Sequence, residues 1–366
     1  MNDLTIGLLG ALLATNQPLA VSNVIQQQTG IAVEVATDPV ARELRDVMLA
    51  DDAAQDEVNG WIQANDALTA TNKAELNAAL NERIRARFDG VRHSYEIFLR
   101  NHPDSARGFL AYGSFLNDIG DEEGAKVQYE NSKQLDPKNP AVWNNLANYY
   151  GEHGPLTNAF VDYQQAIRLM PDEPVYYQNF ATTVYLFRKD AREFYHLTES
   201  QVFDKALGLY QQAMKLAPGN LVLATDYAES YYGIRPLRTN DALVAWTNCL
   251  NIAKDENERE GVLLHLARVK IAAGMFDEAQ AHLDAVTNVA YLDLKKGLAR
   301  SLADHKNPPT NAVVEIATNT IATTNLPVAV TNVVATPTNQ LSEPSNPPVA
   351  PKLPDLQIAP PPLREQ

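Results

Sequence analysis

Apolar and aromatic residues in the middle of the chain recur at helical spacing, with polar residues between them. The clearest example is NPAVWNNLANYYGEHGPLTNAFVDYQQAIRLMP, residues 139–171. Its pattern positions are Trp143, Leu146, Ala147, Tyr150, Ala159, Tyr163, Ala166 and Pro171. The larger side chains of the first half share one helix face, and the small alanines let a second helix approach closely. The pattern predicts two short helices that pack on each other and end at a proline.

The same pattern returns with a fixed period of 34 residues. The prolines of this series are Pro103, Pro137 and Pro171. Ala125 and Ala159 share the period, as do Tyr129 and Tyr163. Because a single helix pair leaves part of its apolar surface uncovered, such pairs are stable only when neighbouring pairs stack. The period therefore predicts an array of stacked helix pairs.

The stretch also matches a known helix-turn-helix pattern, W-x2-L-G-x2-Y, A-x3-F, P. Ala147 takes the place of the glycine, and Tyr163 takes that of the phenylalanine. The segment thus resembles the tetratricopeptide repeat, and the resemblance is strongest over residues 106–173. It implies an all-α, right-handed α-solenoid of helix-turn-helix repeats with helical caps.

Extending this register in both directions divides the chain into predicted units. We expect an N-terminal segment at 1–37, an acidic helical cap at 38–71, and a solenoid at 72–306 made of a degenerate repeat at 72–105, repeats at 106–139, 140–173, 174–220, 221–255 and 260–293, and a capping helix at 290–305, followed by a tail at 307–366. In the acidic cap, Asp38 suits a helix N-cap and Pro39 suits the first turn. The cap lacks the D-x-D-x-D-G spacing of a calcium loop.

The two ends of the chain lack the helical pattern. The tail from Asn307 to Gln366 has no glycine or aromatic residue and holds 12 of the 22 prolines, so we expect it to be disordered or extended. One hypothesis is that this tail occupies the binding face of its own chain. The similar segments TNQPLAVSNV (15–24) and TNLPVAVTNV (324–333) reflect either biased composition or a pairing of the two.

Localisation depends on the apolar stretch LTIGLLGALLA at residues 4–14. It has the length of a signal-peptide core, but no lysine or arginine precedes it. Both a cytoplasmic and an exported protein therefore stay open. The stretch is too short for a membrane span, which needs about 20 apolar residues.

Net charge and cysteine content exclude several classes of partner. The formal charge of -15 disfavours nucleic acid, whose phosphates attract clustered lysine and arginine. The single cysteine, Cys249, excludes an internal disulfide and a multi-cysteine zinc site. Cys249 falls on the small core position that Ala166 and Ala213 occupy in other repeats, so we expect it to be packed and inert.

The first candidate site is a set of asparagines on the predicted first helices. The resemblance implies that first helices line a concave face that binds extended peptides or partner proteins. Asn145 and Asn179 take the same position in adjacent repeats, and Asn144 and Asn148 lie beside them. An amide both donates and accepts, so such a row is able to grip a peptide backbone. The row is incomplete, because Ala111, Asp226 and His265 take this position elsewhere, and asparagine is also common here in the family generally.

The second candidate site is the insertion YLFRKDAREFYHLTESQ, residues 185–201. It joins three cations to aromatic residues in an acidic protein: Arg188, Lys189 and Arg192 with Tyr185, Phe187, Phe194, Tyr195 and His196. Either the aromatics pack on a neighbouring repeat, or the cluster is a recognition patch. TESQ matches a capping box and predicts a helix start near Glu199. Arg235 and Arg238 are expected on the same edge.

Catalytic motifs are absent from the sequence. Glu193 and His196 stand at i and i+3, but no HExxH, G-x-S-x-G, P-loop or G-x-G-x-x-G accompanies them. We therefore expect a non-catalytic protein-interaction scaffold that uses no cofactor or metal. Two alternatives stay open: an assembly factor of the cell envelope, if the chain is exported, and an enzyme subunit that uses the insertion.

Overall fold

The computed structural model describes residues 38–66 and 73–307, and these ranges form α-helices and two short 3-10 helices without a strand. The α-helices are α1 Pro39–Asp66, α2 Lys73–Asn101, α3 Ala106–Asp118, α4 Glu122–Leu135, α5 Pro140–His153, α6 Leu156–Leu169, α7 Pro174–Leu186, α8 Arg188–Tyr195, α9 Glu199–Leu216, α10 Leu221–Ser230, α11 Thr239–Ile252, α12 Glu256–Ala272, α13 Phe276–Ala285 and α14 Leu292–Lys306. The predicted N-terminal segment, the tail, and the two TN segments lie outside the described residues.

Five helix pairs follow one another along the chain. They are α3 with α4, α5 with α6, α7 with α9, α10 with α11, and α12 with α13, and each pair packs on the next. Helix α14 packs on both members of the last pair. The prediction of an all-α fold of stacked helix pairs is confirmed.

Small residues lie where the two helices of a pair meet. Ala147, Ala159 and Ala166 have no exposed surface, and Tyr163 is almost fully buried against them. Close-packed interiors leave no room for a larger side chain at such points. Cys249 is also fully buried, and burial raises the pKa of its thiol to about 12. The prediction that it is a core residue is confirmed.

The turns inside the pairs depend on glycine. Gly120, Gly154 and Gly274 follow α3, α5 and α12, and all three have positive φ values of 80°, 71° and 75°. Glycine adopts this conformation without the strain that a Cβ would cause. In the repeat register this is one and the same position, so the turn is encoded locally in three of the five pairs.

The degenerate repeat expected at 72–105 is not a helix-turn-helix unit. Residues 73–101 form one continuous helix, α2, which pairs with the equally long α1. The prediction of a repeat was wrong here because nothing breaks the helix: Gly90 lies in its interior, and no proline occurs between Pro39 and Pro103. Tyr95 ties the two helices, donating its hydroxyl to Asp51 Oδ2 at 3.0 Å. Asp38 caps α1 as predicted, since its Oδ1 accepts from Val40 N at 3.1 Å.

The insertion forms the extra helix α8 between α7 and α9. Helix α8 ends at His196, whose φ of 54° is left-handed. Thr198 and Gln201 then make the predicted capping box, in which each side chain bonds the backbone N–H of the other residue. Helix α9 accordingly starts at Glu199, as expected.

Candidate binding surfaces

The first helices of adjacent pairs are joined by amide side chains. Asn179 Nδ2, on α7, donates to Asn144 Oδ1, on α5, at 3.1 Å. Asn144 is only 6% exposed, and it donates weakly to Asn145 Oδ1 at 3.4 Å. Asn144 and Asn179 therefore meet across the two repeats, and their hydrogen bond joins these repeats.

The other predicted asparagines also contact tyrosines of the core. Tyr163 donates its hydroxyl to Asn148 Oδ1 at 2.7 Å. Burial raises the pKa of Tyr129 on α4, and the nearby side chains of Ser114 and Asn145 oppose this shift. Within the described ranges, Asn148 Nδ2 and Asn179 Oδ1 make no hydrogen bond. These two atoms, on adjacent first helices, are the ones left to contact a ligand.

The row continues through residues that the sequence analysis took for interruptions. Gln178 Nε2, on α7, donates to Asp226 Oδ2, on α10, at 2.7 Å. The hydroxyl of Tyr232, just after α10, lies within hydrogen-bond distance of His265 Nδ1 on α12, at 3.0 Å. Asp226 and His265 occupy the register position of Asn145 and Asn179. We call the residues Asn144, Asn179, Gln178, Asp226, Tyr232 and His265 the first-helix ladder.

Burial controls the charges along the first-helix ladder. It raises the pKa of the Asp226 carboxyl to about 6, although the bond from Gln178 opposes this shift. It lowers the pKa of His265 to about 4, with the nearby Arg268 adding to the shift. The neutral His265 ring stacks on Trp246 with ring centroids 4.1 Å apart. His265 therefore enters the ladder as a packed neutral ring, while the charged Arg268 lies over Tyr232 with its Cζ 4.4 Å from the ring centroid.

The aromatic residues of the insertion pack on the preceding pair. The ring centroids of Phe194 and Tyr195, on α8, lie 5.3 Å and 5.6 Å from the ring centroid of Phe160 on α6. Tyr195 also accepts a hydrogen bond from Gln164 Nε2 at 2.7 Å. Of the two interpretations of the aromatic cluster, packing on a neighbouring repeat is the one that these contacts support.

The cations of the insertion lie on the surface. Lys189 and Arg192 are exposed, and neither forms an ion pair with the residues that the structure describes. Arg188 is half-buried, with its Cζ 5.2 Å from the ring centroids of Tyr185 and Phe203. The three cations line a cavity of about 310 Å³ together with Leu186, Phe187, Asp190 and Glu199.

A second cavity of about 250 Å³ lies next to the first. It is lined by Ser200, Phe203, Gly233, Ile234, Arg235, Pro236 and Arg238, and it shares Glu199 with the first cavity. The expectation that Arg235 and Arg238 lie on the same edge as the insertion is confirmed. Arg238 Nη1 pairs with Asp204 Oδ1 at 2.6 Å, which fixes this loop to α9.

The comparisons with known proteins concern the fold. No family model matches the chain, and no curated protein is significantly similar to it. The helix pairs are tetratricopeptide-like. Similar solved structures include YrrB, described as a TPR protein with an unusual peptide-binding site, which has 13% identity and a TM-score of 0.43 over 58% of this chain and 97% of that one.

Two further similar structures are those of PilW and PilF. PilW, a type IV pilus biogenesis factor, has 11% identity and a TM-score of 0.46 over 63% of this chain and 100% of that one. PilF of Pseudomonas aeruginosa has 14% identity and a TM-score of 0.44 over 69% and 98%. Similarities this low transfer no ligand and no cellular role.

The candidate catalytic residues and the metal-compatible residues lie at different places in the fold. Glu193 and His196 are exposed on α8 and its end. The one group of metal-compatible ligand atoms among the described residues lies elsewhere, at Glu122, Glu152 and His153. His153 Nε2 lies 2.6 Å from Glu122 Oε2, as in an ion pair. The sequence analysis missed this group because its members come from two different helix pairs.

Among the described residues, none of the helices combines the length and the apolar character needed to cross a membrane.

Proposed function

We propose that this chain is a non-catalytic protein-interaction scaffold that binds a partner polypeptide across its first helices. One observation carries the proposal. On the adjacent helices α5 and α7, Asn148 Nδ2 and Asn179 Oδ1 stay available while the opposite ends of the same amides are fixed by Tyr163 and Asn144. A donor and an acceptor held this way match the alternating C=O and N–H groups of an extended peptide.

The fixed ends favour binding because they hold the amides in place beforehand. An amide that already has one hydrogen bond loses less side-chain entropy when a ligand makes the second one. Half-buried Asn145 takes the register position of Asn179 in the preceding repeat, about one helical turn before Asn148, and offers its remaining capacity to the same ligand. The proposed surface therefore comprises Asn144, Asn145, Asn148 and Asn179, with Asn144 supporting the others.

A peptide-display library selected against the full chain tests the proposal. A selected peptide is then titrated calorimetrically against the wild type and the Asn148→Ala/Asn179→Ala variant. Loss of two hydrogen bonds is expected to weaken binding by about 10-fold or more, since a factor of ten corresponds to about 1.4 kcal/mol.

Gln134→Ala is the matched control, because it removes an exposed amide from the second helix α4. We expect it to leave the affinity unchanged. Equal affinity of the wild type and the double asparagine variant would contradict the proposed surface. Thermal melts of all three proteins check that the differences do not come from unfolding.

A further inference from the structure

Two of the five turns inside the helix pairs lack the glycine that the other three share. At the position of Gly120, Gly154 and Gly274 the remaining pairs carry Arg188 and Arg235. Arg188 Nη1 donates to the Tyr185 carbonyl at 2.7 Å, and Arg235 Nη1 donates to the Tyr232 carbonyl, also at 2.7 Å. These are equivalent bonds. In each case an arginine side chain satisfies a carbonyl in the last turn of a first helix or in the 3-10 turn that follows it, where the other pairs turn at a glycine.

These two turns are also long. The connections run from 187 to 198 and from 231 to 238, whereas α3 and α4 are joined by residues 119–121. The two long connections belong to adjacent pairs, so they lie side by side at one edge of the array. The second connection also contacts the last turn of α7: Gly233 lies against Tyr185, and a Cβ at this position would clash with the Tyr185 hydroxyl.

The two connections form the walls of the cavities of about 310 Å³ and 250 Å³ that share Glu199. We call this continuous surface the edge groove. Its cations are Arg188, Lys189, Arg192, Arg235 and Arg238, against the two acids Asp190 and Glu199. Arg238 alone among these cations pairs with a carboxylate within the described residues. In a chain of net charge -15, the edge groove is thus a local excess of cations.

We propose that the edge groove binds an acidic polypeptide segment of a partner protein. This inference deepens the proposed function by naming a second contact surface and its partner chemistry, and it rests on that function only in taking the ligand to be a protein. The cations are spread over two connections and two cavities rather than converging on one point. That spacing suits carboxylates distributed along an extended chain better than a single phosphate group, which needs convergent donors.

Apolar side chains between the cations support a peptide ligand. Leu186 is 50% exposed at the rim, and Phe187, Phe203, Ile234 and Pro236 also line the groove. The aliphatic stems of glutamate and any flanking apolar residues would cover this surface. A strictly ionic ligand would leave it in water.

Fluorescence anisotropy with a fluorescein-labelled poly-Glu peptide tests the inference on the full chain. Poly-Gln of the same length is the uncharged control. We expect poly-Glu to bind at low salt, poly-Gln not to bind, and the poly-Glu affinity to fall as salt screens the charges. Equal binding of the two peptides would overturn the inference.

The decisive variant is Lys189→Glu/Arg192→Glu, because both side chains are exposed and free of ion pairs with the described residues. Its matched control is Arg107→Glu/Lys138→Glu, which makes the same change in net charge with exposed residues outside the edge groove, one in the first turn of α3 and one in the loop between α4 and α5. We expect about a 10-fold or greater loss for the first variant and less than about a 2-fold change for the second. Equal losses would mean that net charge alone attracts the probe, and would overturn the inference.

Two further arms separate the remaining outcomes. Asn148→Ala/Asn179→Ala is expected to bind poly-Glu like the wild type. The poly-Glu result is therefore independent of whether the asparagine surface of the proposed function binds a peptide. A single-stranded oligonucleotide is titrated in parallel. If it binds in a way that depends on Lys189 and Arg192 while poly-Glu does not bind, the groove recognises phosphates and the inference is wrong.

Discussion

Asn179 on α7 donates from its Nδ2 to Asn144 Oδ1 on α5, and so links the first helices of two successive pairs at 3.1 Å. The acceptor is buried, so the bond is shielded from water. A tetratricopeptide-like position that looks available for ligands in the sequence thus belongs in part to the interface between repeats.

We expect Asn144→Ala and Asn179→Ala each to lower the free energy of unfolding by about 1 kcal/mol, because each removes the hydrogen bond between the two amides and leaves the partner atom of that bond unsatisfied. In a double-mutant cycle measured by urea denaturation, the pair should show a coupling of about 1 kcal/mol. Strictly additive effects would mean that the two amides do not interact in solution.

The glycine turns lead to a second prediction. Gly120→Ala places a Cβ at a φ of 80° and should destabilise the protein by about 1 kcal/mol. Gly208→Ala is the matched control, since this glycine lies inside α9 and a Cβ there meets nothing within 4 Å. That substitution should stabilise by about 0.5–1 kcal/mol through helix propensity. Chemical denaturation distinguishes the two signs, and destabilisation by both variants to the same extent would refute the argument.

Stability is also predicted to depend on pH through buried carboxyls between α1 and α3. Burial raises the pKa of Asp118 to about 7, and the charge of Asp51 adds to the shift. Burial likewise raises the pKa of Asp51 to about 7. The charge of Asp52 adds to this shift, and Tyr95 and Arg87 oppose it.

A folded-state pKa above the unfolded value means that the folded state binds the proton more tightly. The protonated carboxyls therefore make their full contribution to the free energy of unfolding below about pH 4. This contribution is lost as the pH rises towards 7. Asp118→Asn should remove part of this pH dependence and stabilise at pH 8 by about 1–3 kcal/mol. Urea unfolding at pH 5 and pH 8 measures both effects, and an unchanged pH slope in the variant would contradict the assignment.

The single cysteine gives a fourth prediction. Cys249 is fully buried and its pKa is raised to about 12, so its thiol should not react with DTNB in the folded protein at pH 8. Cys249→Ser/Ser200→Cys moves the thiol to an exposed position on α9 and should react at once. Fast labelling of the wild type without denaturant would show that α11 opens locally.

Sequence period alone determined the helix pairs of this protein, because burial of one face is a property local to each helix. The proline series, the alanines at the helix contacts, the Asp38 cap and the Thr198–Gln201 capping box were all predictable in this way. So was the buried Cys249. The continuous helix α2 was not predicted. The 34-residue period of the clear repeats was extended to residues 72–105, where no turn residue divides the helix.

The contacts between repeats were decided by the tertiary structure. Whether Asn179 meets Asn144, or Gln178 meets Asp226, depends on the rise and rotation between neighbouring helices, which the period of a single helix does not specify. The same holds for the edge groove. The sequence shows Arg188 and Arg235 in two separate connections, and only the stacking of adjacent pairs brings those connections side by side and joins their cations in one surface.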